Sequence, residues 1–76
     1  MERPNHIVRI LDHSGDTELR YDPADQAAVD AIDRRFADLM QRNFVAFDVS
    51  THPGRIMTAF DPAASEIIIS PRFAGG

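Results

Sequence analysis

Apolar residues alternate with polar ones at both ends of this chain and recur at every third or fourth position in its middle. Ile7-Val8-Arg9-Ile10-Leu11 is β-branched and apolar apart from Arg9, and it reads as a strand. In Thr17-Glu18-Leu19-Arg20-Tyr21 the alternation is clean: Thr17, Leu19 and Tyr21 fall on one side, Glu18 and Arg20 on the other. The cluster His13-Ser14-Gly15-Asp16 lies between them and predicts a turn, so the two strands form a hairpin. From Asp22 the period changes. Val29, Ile32, Phe36, Leu39 and Met40 form one stripe at helical spacing, and no Gly or Pro interrupts the run to about Arg42. Asp22 is the expected N-cap, with Pro23 at the first helical position. Asn43 tolerates the left-handed conformation that ends a helix. The pairs Asp30–Arg34 and Asp38–Arg42 stand four apart, acid first, and give the helix slight support.

Three more strands follow. Phe44–Val49 is apolar on both faces at first, and Val45, Phe47 and Val49 are expected to point to the core. After the turn Thr51-His52-Pro53-Gly54, a strand is predicted over Arg55–Phe60. Asp61–Ser65 breaks it. Glu66–Ser70 is strongly β-branched and is expected to be central and buried on both faces. Pro71 is expected to end the ladder, leaving 71–76 as a flexible tail. The order is ββαβββ, an α+β class in which one amphipathic helix, about 28 Å long, packs on a four- to five-stranded mixed sheet. Ile10, Leu19, Val29, Ile32, Phe36, Phe47 and Ile67 are the expected core.

With 76 residues the chain is read as one domain, 1–76, whose stability should be about 4–11 kcal/mol. It has no Cys, which removes disulfides, thiolate metal sites and cysteine nucleophiles. No apolar run approaches the roughly 20 residues that span a bilayer, and the start Met1–His6 lacks a signal-peptide core, so a cytoplasmic, membrane-free protein is expected. The net charge of −4 disfavours nucleic acid as a partner. All eight cationic residues are Arg. A lysine-free chain offers no side-chain amine for Schiff-base chemistry or as an isopeptide acceptor.

Candidate chemistry within the chain is thin. Asp12-His13-Ser14 with Asp16 contains the residue types of a catalytic triad, but neighbours in one tight turn cannot reach triad geometry. His6, His13 and His52 lack metal-ligand spacing, and Gly15 and Gly54 are isolated turn glycines, not a phosphate loop. Neither a metal, a cofactor nor an enzymatic activity is expected. Asp22, Asp25, Asp30, Asp33 and Asp38 give the helix an acidic face, read as solvated or as a dock for a basic partner.

The hairpin, the helix start Asp22-Pro23-Ala24-Asp25, the single helix, the further strands and the final Gly75-Gly76 resemble the ubiquitin-like β-grasp family. Ile67-Ile68-Ile69 followed by Arg72-Phe73-Ala74-Gly75-Gly76 is similar to that family's last strand and conjugation tail. The short connection Asp61–Ser65 is closer to its sulfur-carrier branch. The resemblance implies a substrate and carrier, with Gly75 and Gly76 as the activation terminus and Arg72, Phe73 and Ala74 as the tail that docks. Glycine suits that role because a Cβ at the last two positions would obstruct a narrow channel leading to ATP. The implied partners are a ubiquitin-activating-like enzyme and, in a prokaryotic modifier pathway, a conjugating enzyme and a deconjugating protease. Two alternatives stay open: a sulfur carrier ending in a thiocarboxylate, and a binding module that is never conjugated. A monomer is expected in each case.

Overall fold

A computed structural model describes residues 6–12 and 15–72. The elements in chain order are β1 (His6–Asp12), β2 (Gly15–Tyr21), α1 (Gln26–Gln41), β3 (Phe44–Asp48), β4 (Arg55–Met57) and β5 (Glu66–Pro71). The strands form a five-stranded sheet of order β2-β1-β5-β3-β4, with the single helix packed on one face. This is the expected α+β, β-grasp-like arrangement. β1 and β5 run parallel, and every other neighbouring pair is antiparallel. The last described strand, β5, occupies the middle of the sheet.

Four β-branched side chains carry the centre of the core. Val8 pairs with Ile67 and Ile10 with Ile69, and these are the largest fully buried side chains. The helix covers them with Val29, Ile32, Phe36 and Leu39. Met40 and Leu19 pack at the margin, so Leu19 is half-buried rather than buried. Tyr21 closes one end, where its ring meets His6 edge-on at 5.5 Å and Phe60 at 6.1 Å, and Phe60 in turn lies 5.9 Å from Phe36.

β3 differs from the expected phase. Ala46 is fully buried and Phe44 packs against the core, whereas Val45 and Phe47 lie on the opposite face. Both phases of Phe44-Val45-Ala46-Phe47 are apolar, so alternation alone does not decide between them. Strand pairing decides: Ala46 stands opposite buried Ile69, and Phe47 opposite Ile68. A one-residue change of phase moves every side chain to the other face. For the same reason β5 is not buried on both sides. Ile67 and Ile69 are buried, while Ile68 faces the open side and is half-exposed. β4 ends at Met57, and Phe60 reaches the core from beyond the strand. Pro71 is still in β5, opposite Phe44, so the ladder runs one residue into the segment read as tail.

The helix begins three residues later than the sequence suggested. Asp22 is consumed in a turn: its carboxylate accepts from the Ala24 N–H at 2.9 Å and its carbonyl from the Asp25 N–H at 2.9 Å. Asp25 then has extended backbone (φ −87, ψ 100) and accepts from the Ala28 N–H at 3.3 Å, so it is the N-cap. At the other end Asn43 takes φ 68, as expected, and Asp38–Arg42 forms at 3.2 Å. Asp30 instead accepts from Gln26 at 2.9 Å. Asp25→Ala should cost about 1 kcal/mol in urea unfolding, the usual cost of losing a cap. A larger loss for Asp22→Ala would contradict this boundary.

Candidate functional site

The chain is tied down at the end of β5. Beyond Pro71, the Arg72 N–H donates to the Asn43 carbonyl at 3.0 Å, which ties the chain to the end of α1. The Arg72 side chain is exposed there. Of the five residues implied as activation terminus and docking tail, Arg72 alone falls within the described structure. Phe73, Ala74, Gly75 and Gly76 lie outside the described residues.

The face of the sheet opposite the helix has a graded surface. One row across it reads Glu18, Arg9, Ile68, Phe47, Ile56, running from β2 to β4. The β2 end is charged. Arg9 lies 3.7 Å from Glu18 and 3.8 Å from Glu66, and Arg20 reaches Glu18 at 2.7 Å. The β4 end is apolar: Ile68 and Phe47 are half-exposed, and Ile56 is 68% exposed. Single exposed apolar residues are ordinary, but here three adjoin on a sheet face that no described element covers, which makes them a candidate contact patch. The patch is hidden in the sequence, where Phe47 reads as a core residue. The available signal was the number of apolar residues in β3 and β5, which exceeds what one face can bury.

The end of β3 is stitched to the start of β5 by Ser50. Its hydroxyl and backbone N–H both donate to the Asp48 carboxylate, at 2.5 and 2.9 Å, and the hydroxyl oxygen accepts from the Ser65 and Glu66 N–H groups at 3.0 and 3.4 Å. The Ser50 hydroxyl, followed by its N–H, holds the Asp48 carboxyl below its ordinary value of 3.8. A depressed carboxyl stabilises the fold fully above that ordinary value, and the contribution is lost as pH falls through the folded one. Ser50→Ala should therefore move the acid-unfolding midpoint to higher pH. An unchanged midpoint would show that this network does not couple to folding.

The other candidate groups serve structure. His6 Nδ1 lies 2.9 Å from the Pro62 carbonyl and must donate to it, and the Tyr21 hydroxyl approaches the same carbonyl at 3.4 Å. Burial, then the nearby Asp61 carboxylate, pushes the Tyr21 hydroxyl above 10.0. Of the acidic helix face, Asp22, Asp25, Asp30 and Asp38 each have a local partner. His13 and Ser14 lie outside the described residues. Among the described residues no group of three His, Cys, Asp or Glu is placed to hold a metal ion, and no helix is long and apolar enough to cross a membrane. Comparison with known protein families, with curated proteins and with solved structures found no match. The functional reading therefore rests on this chain's own residues and geometry.

Proposed function

We propose that this chain is a ubiquitin-like protein, activated at Gly76 by an ATP-dependent activating enzyme and then conjugated to target proteins. The observation that carries the reading is the position of Gly75-Gly76 in the chain, four residues beyond the middle strand of a β-grasp-like sheet. β5 is held on both sides, by β1 and β3, and Arg72 is tied to Asn43. On this reading four residues separate the paired end of β5 from the reacting carboxylate, a length that suits insertion of a glycine end into a partner's channel.

The chemistry starts once Gly76 carries a free carboxylate. A carboxylate oxygen attacks the α-phosphorus of ATP, and the bond to pyrophosphate breaks. A thiol of the activating enzyme attacks the resulting acyl adenylate and expels AMP. A target amine then attacks the thioester, loses its proton and expels the thiol, leaving an amide. If sulfide takes the place of the thiol, the product is a thiocarboxylate and the protein is a sulfur carrier. No step uses a side chain of this chain, so the protein is a substrate rather than an enzyme. Its partners are the activating enzyme, a conjugating enzyme and a deconjugating protease, in the cytoplasm of a prokaryotic host. Because the chain has no Lys, lysine-linked chains cannot form on it.

The patch of Ile56, Phe47 and Ile68, which no described element covers, favours a second reading, a binding module that docks a partner without being conjugated. Incubation with ATP and an activating enzyme, followed by intact mass, separates the two. The first reading predicts a covalent adenylate or thioester at Gly76, and the second predicts an unchanged mass.

A further inference from the structure

β2 is an edge strand of seven residues, and its outward side has no sheet neighbour among the described residues. Asp12 pairs with Gly15 across two intervening residues, which makes that pair hydrogen-bonded. Alternation along the ladder then directs the backbone groups of Thr17, Leu19 and Tyr21 to β1, and those of Asp16, Glu18 and Arg20 outward. An edge of this kind is usually blunted by charge. Here the outward charges differ in sign, since Glu18 and Arg20 flank Leu19.

That spacing is self-complementary. In an antiparallel pair of two β2 strands, the outward residues must face one another to exchange hydrogen bonds. A two-fold axis at Glu18 would oppose two carboxylates, and one at Arg20 would oppose two guanidinium groups. An axis at Leu19 sets Glu18 of each copy opposite Arg20 of the other, as opposite-charge cross-strand pairs. It also brings Leu19, half-buried in the sheet, against its own copy. Behind it lies a groove of about 350 Å³ between β2 and α1, lined by Leu19, Ala28, Ala31 and Ile32 with Arg20 and Arg35 at its edges. The two grooves adjoin across that axis.

We infer that β2 pairs antiparallel with β2 of a second copy, centred on Leu19, to give a reversible dimer with a continuous ten-stranded sheet. The inference does not depend on the proposed function, and it differs from the monomer expected from the sequence. Pairing leaves the patch around Phe47 free, because β3, β4 and β5 lie away from the outward side of β2 in the strand order.

Sedimentation equilibrium of the full chain tests it. The apparent mass should rise with concentration from 8.5 kDa towards twice that value. Glu18→Arg alone and Arg20→Glu alone should each stay monomeric, because each opposes like charges. An equimolar mixture of the two variants should recover the dimer, since both cross-strand charge pairs are then attractive. Circular dichroism checks that each variant folds. Amide exchange in the unmodified chain needs no variant: protection at Glu18 and Arg20 should rise with concentration, while Leu19, already bonded to β1, should not change. A mass fixed at 8.5 kDa at every concentration overturns the proposal and leaves the edge to a strand from another protein. A dimer untouched by both single variants, or a mixture that stays monomeric, overturns this register.

Discussion

Phe36→Ala is expected to lower the unfolding free energy by about 3–5 kcal/mol. Phe36 is 3% exposed at the centre of the helix stripe, and its ring lies against Phe60, so the truncation leaves a cavity enclosed by helix and sheet. Against a total of about 4–11 kcal/mol, that loss removes much or all of the stability of a chain this short. At roughly 4–8 °C per kcal/mol, the melting temperature should fall by more than about 12 °C. Phe47→Ala is the informative companion. Phe47 is half-exposed on the face opposite the helix, so its loss should be about 0.75–1.5 kcal/mol, half the transfer value of a fully buried ring. Urea denaturation of both variants would rank them. A larger loss at Phe47 would restore the core assignment suggested by the sequence and contradict the register of β3.

That contrast shows where the sequence was legible. The helix stripe was plain, because Val29, Ile32, Phe36 and Leu39 repeat at a period that no strand shares, and all four are buried. The hairpin was equally plain from the alternation in Thr17–Tyr21, and Asp12 and Gly15 pair where the turn was expected. The phase of β3 was not legible. Phe44-Val45-Ala46-Phe47 is apolar on both sides, and only its pairing with β5, more than twenty residues later, sets which side turns inward. The N-cap was ambiguous for a local reason: Asp22 and Asp25 both have a capping side chain, and the turn around Pro23 uses the first. β4 was read too long because Phe60 is apolar, although it reaches the core from outside any strand. Of the candidate site, the sequence indicated Gly75-Gly76 and Arg72 but not the patch around Ile56, since an exposed face is defined by which strands adjoin.

Deletion of Gly75-Gly76 should have the largest functional effect. The fold should be unchanged, because β5 ends at Pro71 and, among the described residues, the last backbone tie is made by Arg72. On the proposed function every covalent product, whether adenylate, thioester or thiocarboxylate, should disappear, because the shortened chain ends on Ala74, with a Cβ at its last position and a carboxylate two residues short of Gly76. Circular dichroism and intact mass measured on the same sample keep the two effects apart. A melting temperature lowered along with the loss of product would assign the glycines a structural role instead. Replacement of the exposed Arg72 by Ala should weaken partner docking while leaving the carboxylate able to react, so it should raise the KM for activation more than it lowers kcat.

The central claim is that Gly76 is the reacting atom's residue, and intact mass spectrometry after incubation with ATP and an activating enzyme tests it most directly. The account predicts a mass increase equal to a covalent adenylyl group, which fragmentation assigns to Gly76 and which is lost when a thiol is added. An unmodified mass across activating enzymes that charge other Gly-Gly proteins, with the chain folded and ATP present, would contradict it.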